Sequence, residues 1–181
     1  MSLPADVVLA LLAWGMLVGL DLVSVPQMMI ARPLVAGTVA GALLGDIATG
    51  LALGVVFELL QYDILPVGAV RYPEYGPATV AAVATAHASA GVLGLGLGAL
   101  VGLVTGLLGG VAIHLLRRVN SHIVHQAAPL LETGDPRVLM RLHIGALLRD
   151  AVRALLVTAV GLVLAWAVRP LLSGVLTLRD A

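Results

Sequence analysis

Cysteine is missing from all 181 residues. Its absence excludes disulfides, thiolate metal sites and cysteine nucleophiles. Lysine is missing as well, so the ten cations are all arginine, a pattern we ascribe to genome bias. Ten Asp and Glu balance them, which leaves a net charge of zero and no basic surface suited to nucleic acid. Charged residues make up only 11% and aromatics only 3%. Neither a G-x-x-x-x-G-K-[ST] loop nor an H-E-x-x-H helix occurs, and no cofactor or metal motif stands out. The opening "MSLPADVVLALLAWGMLVGL" has no basic n-region and no A-x-A site. It reads as a retained first span rather than a cleaved signal peptide.

What is abundant is apolar and small. The chain is 60% hydrophobic with a mean hydropathy of +1.08, more than a soluble domain of this size needs. Its apolar runs exceed the ~18 residues that mark a spanning helix. Gly and Ala let helices approach closely in lipid, where packing drives association. The expected fold is all-α: a polytopic helical membrane protein with broken or re-entrant helices, forming one integral membrane domain over residues 1–181.

Residues 4–23 read as the first span. "DLVSVPQMMIARP" follows and carries Asp21, Gln27 and Arg32, polar enough to reach an interface or a cavity. In "RPLVAGTVAGALLGDIATGLALGVVFELLQ", residues 33–44 give only about 18 Å of helix, short of the ~30 Å core. "LGDIATG" then interrupts, with Gly45 and Gly50 flanking Asp46 and Thr49, which can cap a second half at 47–61. The stretch is either a re-entrant hairpin or one long tilted helix with a weak point. Glycine relieves backbone restriction where a helix stops, so Gly45→Leu or Gly50→Leu is expected to harm folding more than Gly102→Ala. "ILPVGAV" is too short to span and is expected to dip into the membrane and return. Residues 78–116 hold glycines at 94, 98, 102, 106 and 110, a small-xxx-small face for helix contact. They read as two helices divided near "HASAGVLG" or as one span with a preceding half-helix. The region 117–149 is the most arginine-rich connection, so it is expected to be cytoplasmic, with "NSHIVHQAAPLLE" and "DPRVLMRLHIGALL" lying along the interface as amphipathic segments. "TGDP" is a turn between them. A last span covers 146–168, and "RPLLSGVLTLRDA" is a tail.

Each ionisable residue has a plain reading beside the functional one. Asp46 caps a helix at a turn or serves a transport path. Glu58 is an interface carboxylate or a ligand for sugar hydroxyls, since a carboxylate offers two acceptor oxygens to adjacent donors. Asp63, Arg71 and Glu74 form one satisfied ion-pair cluster or, with Tyr62, Tyr72 and Tyr75, line a sugar site. His87 reads as packing. His122 and His125 share a helix face but lack the acidic or cysteine partners of a metal site.

These residues resemble a family: the IIC subunit of mannose/sorbose-type phosphotransferase-system (PTS) permeases. The likeness lies in Arg32-Pro33-Leu34, in L-G-D-x-x-T-G at 44–50, in Glu58, and in a G-A-x-x-x-P-acid element at Gly68, Ala69, Pro73 and Glu74. "HIGALLRDAVRALLV" is similar more loosely. Where the family commonly has Asn before its G-A element, this sequence reads Leu65-Pro66-Val67. Family members usually run longer, with a second membrane half, so the chain is expected to be a short member. The resemblance implies a permease subunit of the bacterial inner membrane, multi-pass and oligomeric in lipid. It would bind and pass a hexose or related sugar beside a IID membrane subunit. Phosphoryl chemistry would lie on cytoplasmic IIA and IIB partners, so the chain itself would not be an enzyme. The candidate substrate-binding residues are Glu58, Asp63, Gln27 and Glu74; the candidate turn residues are Gly45, Asp46, Thr49 and Gly50. The alternative is a reduced, non-transporting scaffold or regulatory subunit, favoured by the short chain and opposed by the retained Asp46 and Glu58.

Overall fold

The computed structural model describes residues 3–64, 70–88 and 91–168. These residues form seven helices: α1 (Ala5–Asp21), α2 (Pro33–Leu43), α3 (Ile47–Gln61), α4 (Tyr75–His87), α5 (Gly91–Gln126), α6 (Ala128–Leu131) and α7 (Pro136–Ala167). No strand occurs among them. By length and composition α5 is the one described helix long and apolar enough to cross a membrane.

The centre of the bundle is α4. Every residue from Tyr75 to Ala86 is buried, and α1, α2, α3, α5 and α7 all pack against it. Its Ala, Thr and Val side chains keep that central rod thin. Thr79 and Thr85 turn their hydroxyls back onto the carbonyls of Tyr75 and Ala81, so no buried hydroxyl is left without a partner. Opposite α4, the fourth-residue glycines of α5 leave no side chain in the way. A Cβ on Gly98 would lie 2.6 Å from the Ala82 carbonyl, and one on Gly102 would overlap the Phe57 ring. Phe57 is fully buried and cannot step aside. Gly45, by contrast, faces open space. Gly50 is as tight as Gly102, since a Cβ there would lie 2.3 Å from the Gly37 carbonyl across the α2–α3 contact, so of the two expected break positions it is Gly45 whose sensitivity rests on φ rather than on space.

Residues 33–61 are two helices packed against each other. Pro33 starts α2 at a position where its missing N–H is not needed. Gly45 takes φ +73° after α2 ends, a left-handed conformation that glycine adopts without a Cβ penalty. Asp46 then caps α3 by accepting from the Thr49 N–H at 3.1 Å. The later division also follows the sequence: α4 ends at His87 and α5 begins at Gly91.

The polar stretch after α5 departs from expectation. "NSHIVHQ" is the end of α5 and "DPRVLMRLHIGALL" supplies the first turns of α7, so neither is a separate surface helix. No glycine or proline interrupts the chain between Val111 and Gln126. The helix therefore runs on to Gln126, the short α6 follows, and α7 opens at Pro136, where Asp135 accepts from the Arg137 N–H. The proposed dip "ILPVGAV", with Gly68 and Ala69 of the family element, and the tail beyond 168 lie largely outside the described residues.

Candidate functional site

Three ionisable side chains meet in the interior. Arg153 lies one turn beyond Asp150 on α7, and Glu74 sits at the N-cap position of α4. The Arg153 Nη1 donates to Glu74 Oε2 at 2.5 Å and its Nε to Asp150 Oδ1 at 2.8 Å. Its Nη2 reaches the Gly19 carbonyl on α1 at 3.2 Å. One planar guanidinium thus ties α1, α4 and α7 together, the fork geometry that lysine lacks. Glycines make the space: a Cβ on Gly109 would lie 2.6 Å from Glu74 Oε2, and one on Gly19 would lie 3.2 Å from Oε1.

Two carboxylates face one guanidinium, so the trio carries a net charge of −1 with all three ionised. Glu74 is fully buried, and its Oε1 has no hydrogen-bond partner. A buried polar atom without a partner is destabilising by ~1–3 kcal/mol, so this oxygen is poised to accept a donor.

The cluster borders a cavity of about 520 Å³, within the usual range of small-molecule sites. Asp150 belongs to both, and Ser24, Gln27, Arg117, Asn120 and His143 also line the cavity. The Ser24 hydroxyl donates to Asp150 Oδ2. Gln27 is held there by a loop folded over the end of α1. Asp21 accepts from the Met28 N–H at 2.6 Å and the Ala31 N–H at 2.9 Å, which fixes the loop while Gln27 takes φ 58°.

Of the four candidate substrate residues, Gln27 lines the cavity beside Asp150, and Glu74 joins Asp150 through Arg153. The structure puts the other two elsewhere. Glu58 pairs with Arg32 and accepts from the Leu34 N–H at 3.2 Å, sitting at the N-terminus of α2 where a carboxylate complements the helix dipole. Asp63 is exposed in the turn after α3. The expected cluster of Asp63, Arg71 and Glu74 does not form: Glu74 pairs with Arg153, and Arg71 lies 3.2 Å from His114. Nor do the tyrosines gather. Tyr62 is exposed, Tyr72 accepts from Arg117, and Tyr75 packs beside Phe57. At the hairpin tip, Asp46 also approaches His87 at 3.7 Å. Arg153 and Asp150 were missed by sequence reasoning. Their signal was present, as two opposite charges three residues apart inside a segment read as a span.

Residues 6–176 match the family model described as the PTS system sorbose-specific IIC component. The chain is 31% identical over 131 residues to the sorbose-specific EIIC component of Klebsiella pneumoniae, covering 70% of this chain and 48% of that protein. It is 29% identical over 129 residues to the fructose permease IIC component of Bacillus subtilis, covering 71% and 47%. Against the mannose-specific EIIC component of Escherichia coli it is 26% identical over 122 residues, covering 67% and 45%. The chain therefore spans about half the length of the curated relatives it matches. Its fold matches a chain in the cryo-EM structure of the mannose transporter ManYZ bound to a microcin, with a TM-score of 0.68 at 20% identity. That match covers 93% of this chain and 65% of that one.

Proposed function

The chain belongs to the sorbose-specific IIC family of the phosphotransferase system, and from that premise we propose that it binds and passes a hexose or related sugar across the bacterial inner membrane as a multi-pass subunit. A IID subunit is its membrane partner. Cytoplasmic IIA and IIB subunits bring the phosphoryl group to the arriving sugar, and the charged product does not cross back.

The observation that carries this reading is the fully buried Glu74 with one oxygen lacking a partner, joined through Arg153 and Asp150 to a polar cavity. A sugar offers hydroxyls that both donate and accept. Donors suit a cluster with excess negative charge, and each bond to a charged group contributes ~1.5–3 kcal/mol net. The Gln27 amide, which both donates and accepts, suits the remaining hydroxyls. Glu58 and Asp46 hold the hairpin in register, and Asp63 lies outside the sugar path.

The test is phosphoenolpyruvate-dependent sugar uptake in vesicles carrying the chain with its IID, IIA and IIB partners. Glu74→Gln keeps the shape but removes the charge. It should weaken sugar affinity about tenfold or more, ~1.4 kcal/mol, in protein that still assembles with its partner. Uptake by Glu74→Gln equal to the parent's would sink the site. Assembly of the parent without uptake of any hexose tested would favour a scaffold instead.

A further inference from the structure

Two adjoining hollows on the arginine-rich end of α5 share only Arg117 with the cavity proposed above to take sugar. The first is a groove of about 610 Å³ lined by His114, Arg117, Arg118, Ser121, His122 and His125. Their spacing of three and four residues places them along one helix face. The second is a slot of about 220 Å³ whose walls include Pro73, Leu107, Gly110 and Val111, and which Arg71 and His114 close at one end. His114 lines both hollows, so an apolar slot runs into a basic groove. No acidic residue lines either one. Arg118 is exposed and has no hydrogen-bond or ion-pair partner among the described residues.

Depth decides what such a site meets. From Gly91 to Ile113 the helix has 23 residues and no ionisable side chain. At ~1.5 Å per residue that is about 34 Å, just over the ~30 Å of a bilayer core. His114, Arg117 and Arg118 therefore stand where the span leaves hydrocarbon, at the level of lipid phosphates. Val111 and Leu107 lie one and two turns deeper, beside acyl chains, and both are exposed.

We propose that this composite hollow is a binding site for an anionic phospholipid. The phosphate sits among Arg71, Arg118 and the outer edge of Arg117, and one acyl chain lies in the slot past Val111 and Leu107. Basic clusters at the cytoplasmic end of a span attract anionic lipid. The apolar slot separates this ligand from a soluble phosphate, which needs only the basic groove.

The full chain, purified in mild detergent and mixed with phosphatidylglycerol or phosphatidylcholine, provides the test by native mass spectrometry of retained lipid. Phosphatidylglycerol should be retained preferentially. Arg71→Gln with Arg118→Gln should lower its retention about 25-fold, about fivefold per charge, because each interfacial arginine contributes ~1 kcal/mol. Arg137→Gln with Arg141→Gln, exposed on α7, should leave it unchanged. Val111→Trp, which fills the slot, should also lower retention. If the double variant melts early, Arg118→Gln alone carries the test on an exposed side chain. Equal retention by the two double variants would overturn the site. Displacement by millimolar inorganic phosphate, with Val111→Trp indifferent, would make the ligand a soluble phosphate and overturn the lipid assignment.

Discussion

Replacing Arg153 by Met tests whether the interior cluster holds the bundle together. The substitution keeps most of the side-chain length and removes the guanidinium. Glu74 then loses its hydrogen-bond donor while 0% exposed, and Asp150 loses one of its two partners while 2% exposed. The Gly19 carbonyl loses a donor as well. Breaking a buried pair from one side costs about 3–5 kcal/mol, because a buried charge is left uncompensated. That is a factor of about 150 to several thousand in the folded population. Arg153→Lys restores a point charge but not the fork, so it should fall between Met and the parent. Glu74→Gln leaves Arg153 with Asp150 and Gly19 and should cost only about 1–3 kcal/mol. The double variant Glu74→Gln/Arg153→Met removes both ends of the pair, so it should be less damaging than the sum of the singles. The assay is thermal loss of monodisperse protein in detergent, read by size-exclusion of tagged material. If Arg153→Met matches the parent, or if the double variant is strictly additive, the cluster does not bear on stability as argued.

Gly102→Ala should destabilise the bundle by about 1–3 kcal/mol, because its Cβ overlaps the buried Phe57 ring. Gly45→Ala should cost nearer 1–2 kcal/mol, from its positive φ alone; melting the two side by side checks the order. Asp46→Ala removes the cap on Thr49 and should cost about 0.5–2 kcal/mol, whereas Asp46→Asn should be close to neutral. Glu58→Gln should leave sugar affinity near the parent's value, and a tenfold loss in a binding assay would return Glu58 to the sugar path. A cysteine placed at Ser121 should resist impermeant thiol reagents added outside whole cells, since the arginine-rich end of α5 is expected to face the cytoplasm.

The helix break was legible because its causes are local. Gly45 supplies a left-handed residue, Asp46 an acceptor, and Thr49 the N–H three residues on. The glycine face of α5 was legible for the same reason, since its period shows which side lies close to a neighbour. The length of α5 was not. Polarity after Arg117 read as a new surface segment, yet polarity does not end a helix when no breaker intervenes. The ion cluster was least legible of all. Glu74 stands 79 residues before its partner Arg153, so only the packing of α4 against α7 decides that they meet. Arg71 and Asp63, closer in sequence, were the natural but wrong partners.

The carboxylates sort by what satisfies them, and the sorting bears on function. Asp21, Asp46 and Asp135 accept from backbone N–H groups of their own loop or helix start. Glu58 does so too, from Leu34, with Arg32 as a second partner. Such groups are satisfied by the chain that carries them, and a ligand gains little by competing with bonds already made. Asp150 is different: its partners are Ser24 and Arg153, side chains of other segments or turns. Glu74 goes furthest, with one oxygen on Arg153 and the other on nothing. A sequence count treats these carboxylates alike, and by that count Glu58 drew attention because it sits in an apolar run. Bond by bond, the proposed sugar site rests on the start of α4 rather than on the hairpin, because Glu74 Oε1 is the buried acceptor there without a partner.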